Sequence, residues 1–375
     1  MIRVLGMMSG TSMDGVDAAM IETDGVRIGG FGRSAFRAYS DNEAAVLHEA
    51  LGRWPGEEGV GDAAAISVGS HAAMAADFPE AELIGYHGQT LAHDPRGRGT
   101  HQAGDGVLLA RAAGRPVVWD FRSEDVRLGG EGAPLAPFFH WACAGWAVGQ
   151  GLLPPRPVAF LNLGGVGNIT WVDPATPAPE AAGACLAFDT GPANAPINDL
   201  MRRRLRRSHD RDGELAATGR ADEGIVADFA SHPWFDRPPP KSLDRDQFAG
   251  LAAAVEPLSD ADAAATLVAA LAGAVAAGFR WLPSVPATLL VCGGGRRNPA
   301  IMARLARDLP CTVQPVETAG LDGDMLEAQA FGWLAARVMR GLPTSGPSTT
   351  GVPAACCGGR ISYPRSGRGF FVTRP

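Results

Sequence analysis

Three times in this chain an apolar run of strand length ends in a turn of glycine and small polar residues. That recurrence limits the fold more than any other feature. The first copy runs from Ile2 to Ser9, turns through Gly10-Thr11-Ser12-Met13-Asp14-Gly15, and continues apolar from Val16 to Ile21. Two apolar runs around such a turn predict a β-hairpin, with Asp14-Gly15 its strongest signal. The second copy, Val158 to Val172 around Gly164-Gly165, lies about 155 residues further on, roughly one domain length. In the third, Thr288 to Cys292 leads into Gly293-Gly294-Gly295-Arg296-Arg297-Asn298-Pro299, and a helix is expected to begin near Pro299, where proline is tolerated in the first turn. Glycines let backbone N–H groups converge. Ser9, Thr11 and Ser12 add hydroxyls, and Asp14 and Asp17 put carboxylates where a cation can sit. That set suits a polyphosphate and its Mg²⁺. A polar hairpin closed by Asx and Ser/Thr turn bonds is the plainer alternative.

Between these landmarks the pattern alternates. A third strand is expected at 26–31, helices at 43–51, 63–77 and 106–113, and strands at 83–90 and 116–122 that both end in polar loops. Strands finishing in such loops are typical of α/β folds with a site at the carboxyl ends of the sheet. Gly149–Pro157 is rich in glycine and proline and marks a boundary. The expected architecture is two like α/β domains, 1–154 joined by a returning segment 330–375, and 155–329. Each offers one glycine-rich turn to a central cleft.

Charge and cysteine usage exclude several classes. A net charge of −7 argues against nucleic acid as a partner, and the one basic run, Arg202 to Arg207, reads as the solvated side of a helix. The six cysteines show no zinc spacing, and Cys356-Cys357 are adjacent, so free thiols in a reducing compartment fit best. No signal peptide is read at the N-terminus. The longest apolar run, 263–279, reads as a buried helix opened by a Ser259-x-x-Asp262 capping box rather than a membrane span. A cytoplasmic protein without a membrane partner is expected, and a homodimer stays an open option.

The three turns together are similar to those of the actin-like and hexokinase-like ATPases, whose two ribonuclease-H-like domains clamp ATP between two phosphate hairpins and an adenosine loop. Within that superfamily the chain resembles the anhydro-N-acetylmuramic acid kinase family. The resemblance rests on Gly6-Met-Met-Ser-Gly-Thr-Ser-Met-Asp-Gly-Val-Asp17, His87-Gly-Gln-Thr90, Asp120-Phe-Arg122, Gly129-Gly-Glu-Gly-Ala-Pro-Leu135 and Asn162-Leu-Gly-Gly165. Gly167-Asn-Ile-Thr170, Phe188-Asp-Thr-Gly-Pro-Ala-Asn194, Pro240-Lys-Ser242, Gly293-Gly-Gly295 and Gly323-Asp-Met-Leu-Glu-Ala328 continue it in family order. After Phe121-Arg122 this chain has Ser123-Glu124 where the family has more arginine. Thr349-Thr350-Gly351-Val352 matches the family's Thr-Gly motif only loosely, and the basic tail 365–375 has no counterpart.

The resemblance implies a reaction: water opens the anhydro bridge of 1,6-anhydro-N-acetylmuramic acid, and ATP phosphorylates the freed 6-oxygen during peptidoglycan recycling. It implies Asp189 as the base, the alternative being a cap on a helix at 194–204. Arg122 would pair with the lactyl carboxylate, or else with Glu124, Asp125 or Glu131. His87, Gln89 and Glu327 would contact the sugar. ATP would be held by Gly10, Thr11, Ser12, Met13, Asp14, Gly15, Val16 and Asp17, by Gly164 and Gly165, and by Gly293, Gly294 and Gly295. Asp14 or Asp17 would reach Mg²⁺. Lys241 reads as a solvated loop lysine, with an anion contact as the alternative. Competing readings are a kinase for another amino sugar, a glycosidase using Asp189 and Glu327, and a non-catalytic nucleotide switch.

Overall fold

The computed structural model describes residues 1–10, 12–243 and 247–364. It divides into two compact units, Met1–Ala142 with Met325–Pro375, and Cys143–Asp324.

In the first unit Ile2–Ser9 (β1), Gly15–Thr23 (β2) and Ile28–Ala38 (β3) form an antiparallel meander. Leu83–Asp94 (β4) then joins parallel to β1, and Val117–Trp119 (β6) joins parallel to β4. Gly99–Ala103 (β5) pairs with the end of β4, and a late strand defined below closes the far edge. In the second unit Val158–Leu163 (β7), Val166–Val172 (β8) and Cys185–Pro192 (β9) repeat the meander. Thr288–Cys292 (β10) and Thr312–Pro315 (β11) extend it in parallel. Arg360–Ser362 (β12) is the closing strand of the first sheet, antiparallel to β6.

Numbering the first five path strands of each unit one to five, both sheets read three-two-one-four-five, β3-β2-β1-β4-β6 and β9-β8-β7-β10-β11. Antiparallel neighbours need only a hairpin, whereas the parallel additions need helical crossovers. The helices Asp41–Glu49 and Val60–Ala76 make the crossover from β3 to β4. That shared wiring is the ribonuclease-H-like fold, present twice.

The unit boundaries fall at 142/143 and 324/325 rather than at 154/155 and 329/330. Helix packing explains the second: Leu326–Met339 lies whole against β1, β2 and β4. The approach is close because Gly6 and Gly85 carry no side chain there. A Cβ on Gly6 would sit 1.8 Å from the Ala328 carbonyl oxygen, and one on Gly85 2.2 Å from that of Phe331. In the second unit the apolar helix Asp260–Phe279 packs on β9 and on neighbouring helices. Ser259 accepts from the Asp262 N–H as its cap. It is the one described helix long and apolar enough to cross a membrane, and 67% of its most apolar window is buried.

Other differences are local. The third strand extends to Ala38 because Arg33, Arg37 and their acidic partners keep its outer face polar yet paired. The strand expected at 116–122 stops at Trp119, where Asp120 takes a left-handed φ of 56° and a short helix, Ser123–Arg127, begins. The basic run lies at the end of the helix Asn194–Leu205 and beyond it. Three of its arginines are ion-paired: Arg202 with Asp199, Arg203 with Glu256, and Arg204 with Glu256 and Asp260.

Candidate functional site

The first hairpin turns three residues earlier than its Asp-Gly pair predicts, at 10–13 rather than 13–16. The Met13 N–H donates to the Gly10 carbonyl at 3.2 Å, and Met13 itself takes φ 54°. Gly15 is already in β2, paired with Ala38, and a Cβ there would meet the Arg37 carbonyl at 2.2 Å. Gly15 is therefore a packing glycine. Met13 and Val16 are buried in an apolar cluster with Tyr39, Leu47 and Leu91, so only their backbones are left for a ligand. Ser9 is buried as well: its hydroxyl contacts the Gly15 carbonyl (3.0 Å), Tyr39 Oη (2.9 Å) and Gln89 Oε1 (2.5 Å). Among the described residues of the turn, Ser12 and Asp14 are exposed and joined by a 2.8 Å hydrogen bond from Ser12 Oγ to Asp14 Oδ1. Asp17 is half-buried on β2 opposite Met8, and Thr11 lies outside the described residues. Among the described residues no three His, Cys, Asp or Glu side chains gather into a metal site. The donor set therefore fits Mg²⁺ only as one or two carboxylates completed by water and phosphate oxygens.

Gln89, the expected sugar contact, is fully buried. Its amide nitrogen donates to the carbonyls of Gly10 (3.1 Å) and Thr90 (3.4 Å), and its oxygen accepts from Ser9, so it braces the turn.

The β7–β8 turn is built differently. The carbonyl of Gly164 accepts from the Asn194 N–H (2.9 Å), and that of Gly165 from the N–H groups of Ala193 (3.0 Å) and Ala195 (3.3 Å). These bonds cap the helix Asn194–Leu205 with backbone oxygen. A trans peptide sets each C=O opposite the following N–H. The N–H groups of Gly165 and Val166 therefore point away from that helix. Neither glycine is demanded by packing: an added Cβ would meet nothing nearer than 3.7 Å at Gly164 or 3.6 Å at Gly165. The third turn mixes both kinds. Gly293 (φ 71°) and Gly295 press on β7, where a Cβ would lie 2.3 Å from Asn162 Oδ1 and 2.6 Å from Leu163 Cβ respectively. Gly294 is exposed, and a Cβ there would meet nothing nearer than Asn194 Nδ2 at 3.7 Å. Arg296, missed in the sequence, pins this turn. Its buried guanidinium donates to the Gly293 carbonyl (3.0 Å) and pairs with Glu317 (2.7 Å) and Asp324 (3.0 Å). Beside it the first turn of the helix Pro299–Asp308 borders a groove of about 1060 Å³ lined by Asp222, Ala265, Pro299, Ala303 and Arg304 among others.

Asp189 lies within β9, not at a helix cap; Ala193 occupies that position. Pairing with β8 slips here, Gly167 facing Gly191 and Asn168 facing Asp189, so one residue is bulged out between them. Bulges re-aim neighbouring side chains. Among the described residues the carboxylate accepts one hydrogen bond, from the Leu243 N–H to Oδ2 at 2.8 Å, and the Asp189 N–H donates to the Lys241 carbonyl at 3.0 Å. Burial pushes its pKa up to about 6, opposed by the Leu243 N–H.

In the first unit, Arg122, His87, Phe331 and Glu327 gather around one end of the helix Leu326–Met339. A second bulge, with Ser9 paired to Gln89 after Met7 to Tyr86, puts Gly88 at φ 78° and turns His87 inward. Arg122 donates from Nε to His87 Nε2 (3.0 Å) and from Nη1 to the Gly132 carbonyl (2.8 Å). His87 Nδ1 contacts the Gly88 carbonyl at 2.8 Å, which fixes the neutral tautomer, and burial holds the ring well below its usual pKa. Both ring nitrogens are thus used, and His87 supports Arg122. Phe331 lies beneath both, 4.5 Å from the His87 ring. The acidic neighbours expected to pair with Arg122 are engaged elsewhere: Glu124 with Arg127, Glu131 with Arg96. Burial lowers the Arg122 pKa to about 10, with Glu327 and Asp125 opposing the fall, so it stays cationic at neutral pH. Glu327 is open to solvent on one side while protein crowds it on the others. The crowding raises its carboxyl pKa, and Arg122 opposes the rise.

Asp125, fully buried, holds the loop that Arg122 touches. It accepts from the Gly132 N–H (2.7 Å), from Thr350 Oγ1 (2.6 Å) and from the Ser345 hydroxyl. The Thr349-Thr350 segment is thus a strap on the Gly129–Gly132 loop, a role its sequence does not announce. Replacing Thr350 by valine keeps the shape and removes one donor to a buried carboxylate. It should cost about 1–3 kcal/mol in urea unfolding, and an unchanged midpoint would refute the strap.

Lys241 is not solvated. It is 5% exposed, its ammonium 4.3 Å from the Trp234 ring, and burial lowers its pKa to about 8.

A family model described as anhydro-N-acetylmuramic acid kinase matches residues 59–364. Among curated relatives, the anhydro-N-acetylmuramic acid kinase of Cereibacter sphaeroides is 64% identical, with 97% of each chain covered. Anhydro-N-acetylmuramic acid kinase 1 of Jannaschia sp. is 60% identical over 96% of this chain and 94% of its own. Solved structures similar in outline include the activator of the 2-hydroxyisocaproyl-CoA dehydratase from Clostridium difficile with bound ADPNP. It is 12% identical, covers 90% of this chain and 96% of that one, and has a TM-score of 0.43. A ROK family glucokinase from Streptomyces griseus in complex with glucose and AMPPNP is likewise 12% identical, over 89% and 99%, with a TM-score of 0.40. The fold assignment rests on the repeated strand order, not on these scores. Near-complete coverage at such identity to the curated relatives, joined to the matching family model, leads to one conclusion: this chain belongs to the anhydro-N-acetylmuramic acid kinase family.

Proposed function

We propose that the chain opens 1,6-anhydro-N-acetylmuramic acid with water and transfers the γ-phosphoryl group of ATP to the freed 6-oxygen, giving N-acetylmuramic acid 6-phosphate and ADP. The observation that carries this reading is Asp189, a carboxylate set at a strand bulge with one backbone donor and a pKa near 6. Ionised at neutral pH yet more basic than an exposed carboxylate, it is suited to take a proton from water attacking the anomeric carbon. The 6-oxygen leaves as the phosphoryl group arrives, so the chain supplies positioning rather than a strong acid. The outward N–H groups of Gly165 and Val166 and the space kept by Gly10, Gly164 and Gly294 suit phosphates. Asp14 or Asp17 would complete the shell of Mg²⁺, which supplies charge neutralisation when bound. The groove beside Pro299 has ample room for adenosine. The free thiols, four of them buried, support a reducing cytoplasmic setting.

Arg122 is assigned to the lactyl carboxylate. An Arg122→Met variant should raise the sugar KM by roughly 10- to 150-fold, the equivalent of about 1.5–3 kcal/mol for a charged hydrogen bond. The ATP KM should hold, and a sugar KM within twofold of the parent would refute the assignment. The whole reading is tested by ADP release with the anhydro sugar against other amino sugars, in H₂¹⁸O. One label at the anomeric carbon and none in the phosphate is expected. ATP consumption no faster with the anhydro sugar than without it would sink the reading, and preference for another amino sugar would move the substrate.

A further inference from the structure

The segment that touches Asp189 is held by a buried lysine for which the proposed chemistry has no direct use. Residues 241–243 run beside β9, and two polar groups of Asp189 bond to them: its N–H to the Lys241 carbonyl (3.0 Å), its carboxylate to the Leu243 N–H (2.8 Å). The segment lies on a proline-rich loop, Pro238 to Ser242, and has no ladder of its own. Leu243 packs on the apolar core of the second unit, and the Lys241 side chain adds a polar tie. Its ammonium donates to the Phe235 carbonyl at 3.2 Å and lies among the rings of Trp234 (4.3 Å), Phe188 (5.8 Å) and Trp281 (5.8 Å). Phe188 precedes Asp189 on β9, so the lysine grips the same strand from which the carboxylate projects.

The grip is an exacting one. Arg280 (2.6 Å) and Trp281 Nε1 (3.2 Å) donate to the same Phe235 carbonyl, and Arg280 also pairs with Asp236 at 2.8 Å. A carbonyl oxygen has two lone pairs, so these three donors crowd it. Much of the lysine's hold therefore comes from the aromatic faces, which attract a cation most strongly where water is excluded.

We propose that Lys241 is a positioning residue for Asp189: its ammonium, boxed by Trp234, Phe188 and Trp281, fixes the loop whose Leu243 N–H orients the carboxylate. This inference rests on Asp189 being the base. The charged groups facing the ammonium are Arg237, Arg280 and Asp236, while Asp189 responds to burial and to the Leu243 N–H. Loosening the loop weakens that one hydrogen bond to the ionised carboxylate. The Asp189 pKa then rises further and the water it activates is less well placed.

The test compares Lys241→Met, which keeps length and packing, with Lys241→Arg, which keeps the cation. Lys241→Met should lower kcat by roughly 10- to 10²-fold, the scale of a misplacement near 1 Å, with both KM values within about twofold. The acid limb of its kcat/KM profile should move to higher pH, and Lys241→Arg should recover part of both effects. A Lys241→Met variant with the parent's kcat and acid limb overturns the proposal. So does a variant of reduced melting temperature whose acid limb stays in place, because that describes structural support alone. If Lys241→Met fails to fold, the acid limb of Lys241→Gln, which keeps a donor for the Phe235 carbonyl but no cation, decides: displacement to higher pH supports the proposal and coincidence with the parent refutes it. Should Asp189→Asn retain parental turnover, the base assignment itself fails, an outcome distinct from any of these.

Discussion

Asp189→Asn is expected to bind ATP and sugar as the parent does and to lose turnover by roughly 10²- to 10⁴-fold, the usual contribution of a positioned base. Asparagine is nearly isosteric and still accepts from the Leu243 N–H, so the loop at 241–243 should stay in place. What it lacks is a basic oxygen. Product formation under saturating substrates measures the loss, and near-parental kcat would remove Asp189 from the mechanism. The parent's kcat/KM should climb with pH through about 6, where burial has moved the carboxyl, and then level off. The sign for stability runs the other way. A carboxyl whose pKa is higher folded than unfolded favours the folded state when protonated, and that advantage is lost as pH rises through about 6. At pH 8 the Asn variant should therefore melt no lower than the parent.

Gly164→Val is expected to fold normally and to lose ATP-dependent turnover by about 10²- to 10⁴-fold. The site has room, since an added Cβ meets nothing nearer than the Val166 carbonyl at 3.7 Å, and its φ is not left-handed. A branched side chain there occupies the place assigned to phosphate oxygens. Displacing them from two charge-assisted N–H bonds forfeits about 3–6 kcal/mol, at roughly 1.5–3 each. Gly295→Ala should behave in the opposite sense. Its Cβ would lie 2.6 Å from Leu163 Cβ, so it should lose about 1–3 kcal/mol of stability by overpacking. Melting temperature and ATP KM measured on the pair separate a glycine kept for a ligand from one kept for packing. Equal ATP affinity in Gly164→Val and the parent would refute the phosphate role of this turn.

That distinction shows how much of the site was legible beforehand. The glycine-rich turns stood out because small residues after apolar strands are rare by chance and backbone N–H groups are a simple requirement. Their division of labour did not. Gly15, Gly293 and Gly295 look like Gly164 and Gly294 in one dimension, and only the atoms across the gap tell them apart. His87 and Gln89 were expected at the sugar because the family resemblance implies it. In three dimensions each has its hydrogen-bonding atoms taken, one by Arg122 and Gly88, the other by Ser9, Gly10 and Thr90. Lys241 read as a solvated loop lysine because prolines surround it; the aromatic box comes from residues before and after it in the chain.

The sequence by itself determined the strand–turn–strand repeat, the third glycine turn, the buried helix at Asp260–Phe279 and the family. These depend on local periodicity, backbone permissiveness and long matching motifs. Tertiary structure alone decided that both sheets share one strand order, that Asp125 and Thr350 hold the loop beside Arg122, and that a bulge and the Leu243 N–H aim Asp189. Each of these is a contact between distant segments. Such contacts are set by which donors and acceptors remain unpaired once the chain has packed, a quantity no single stretch of sequence contains.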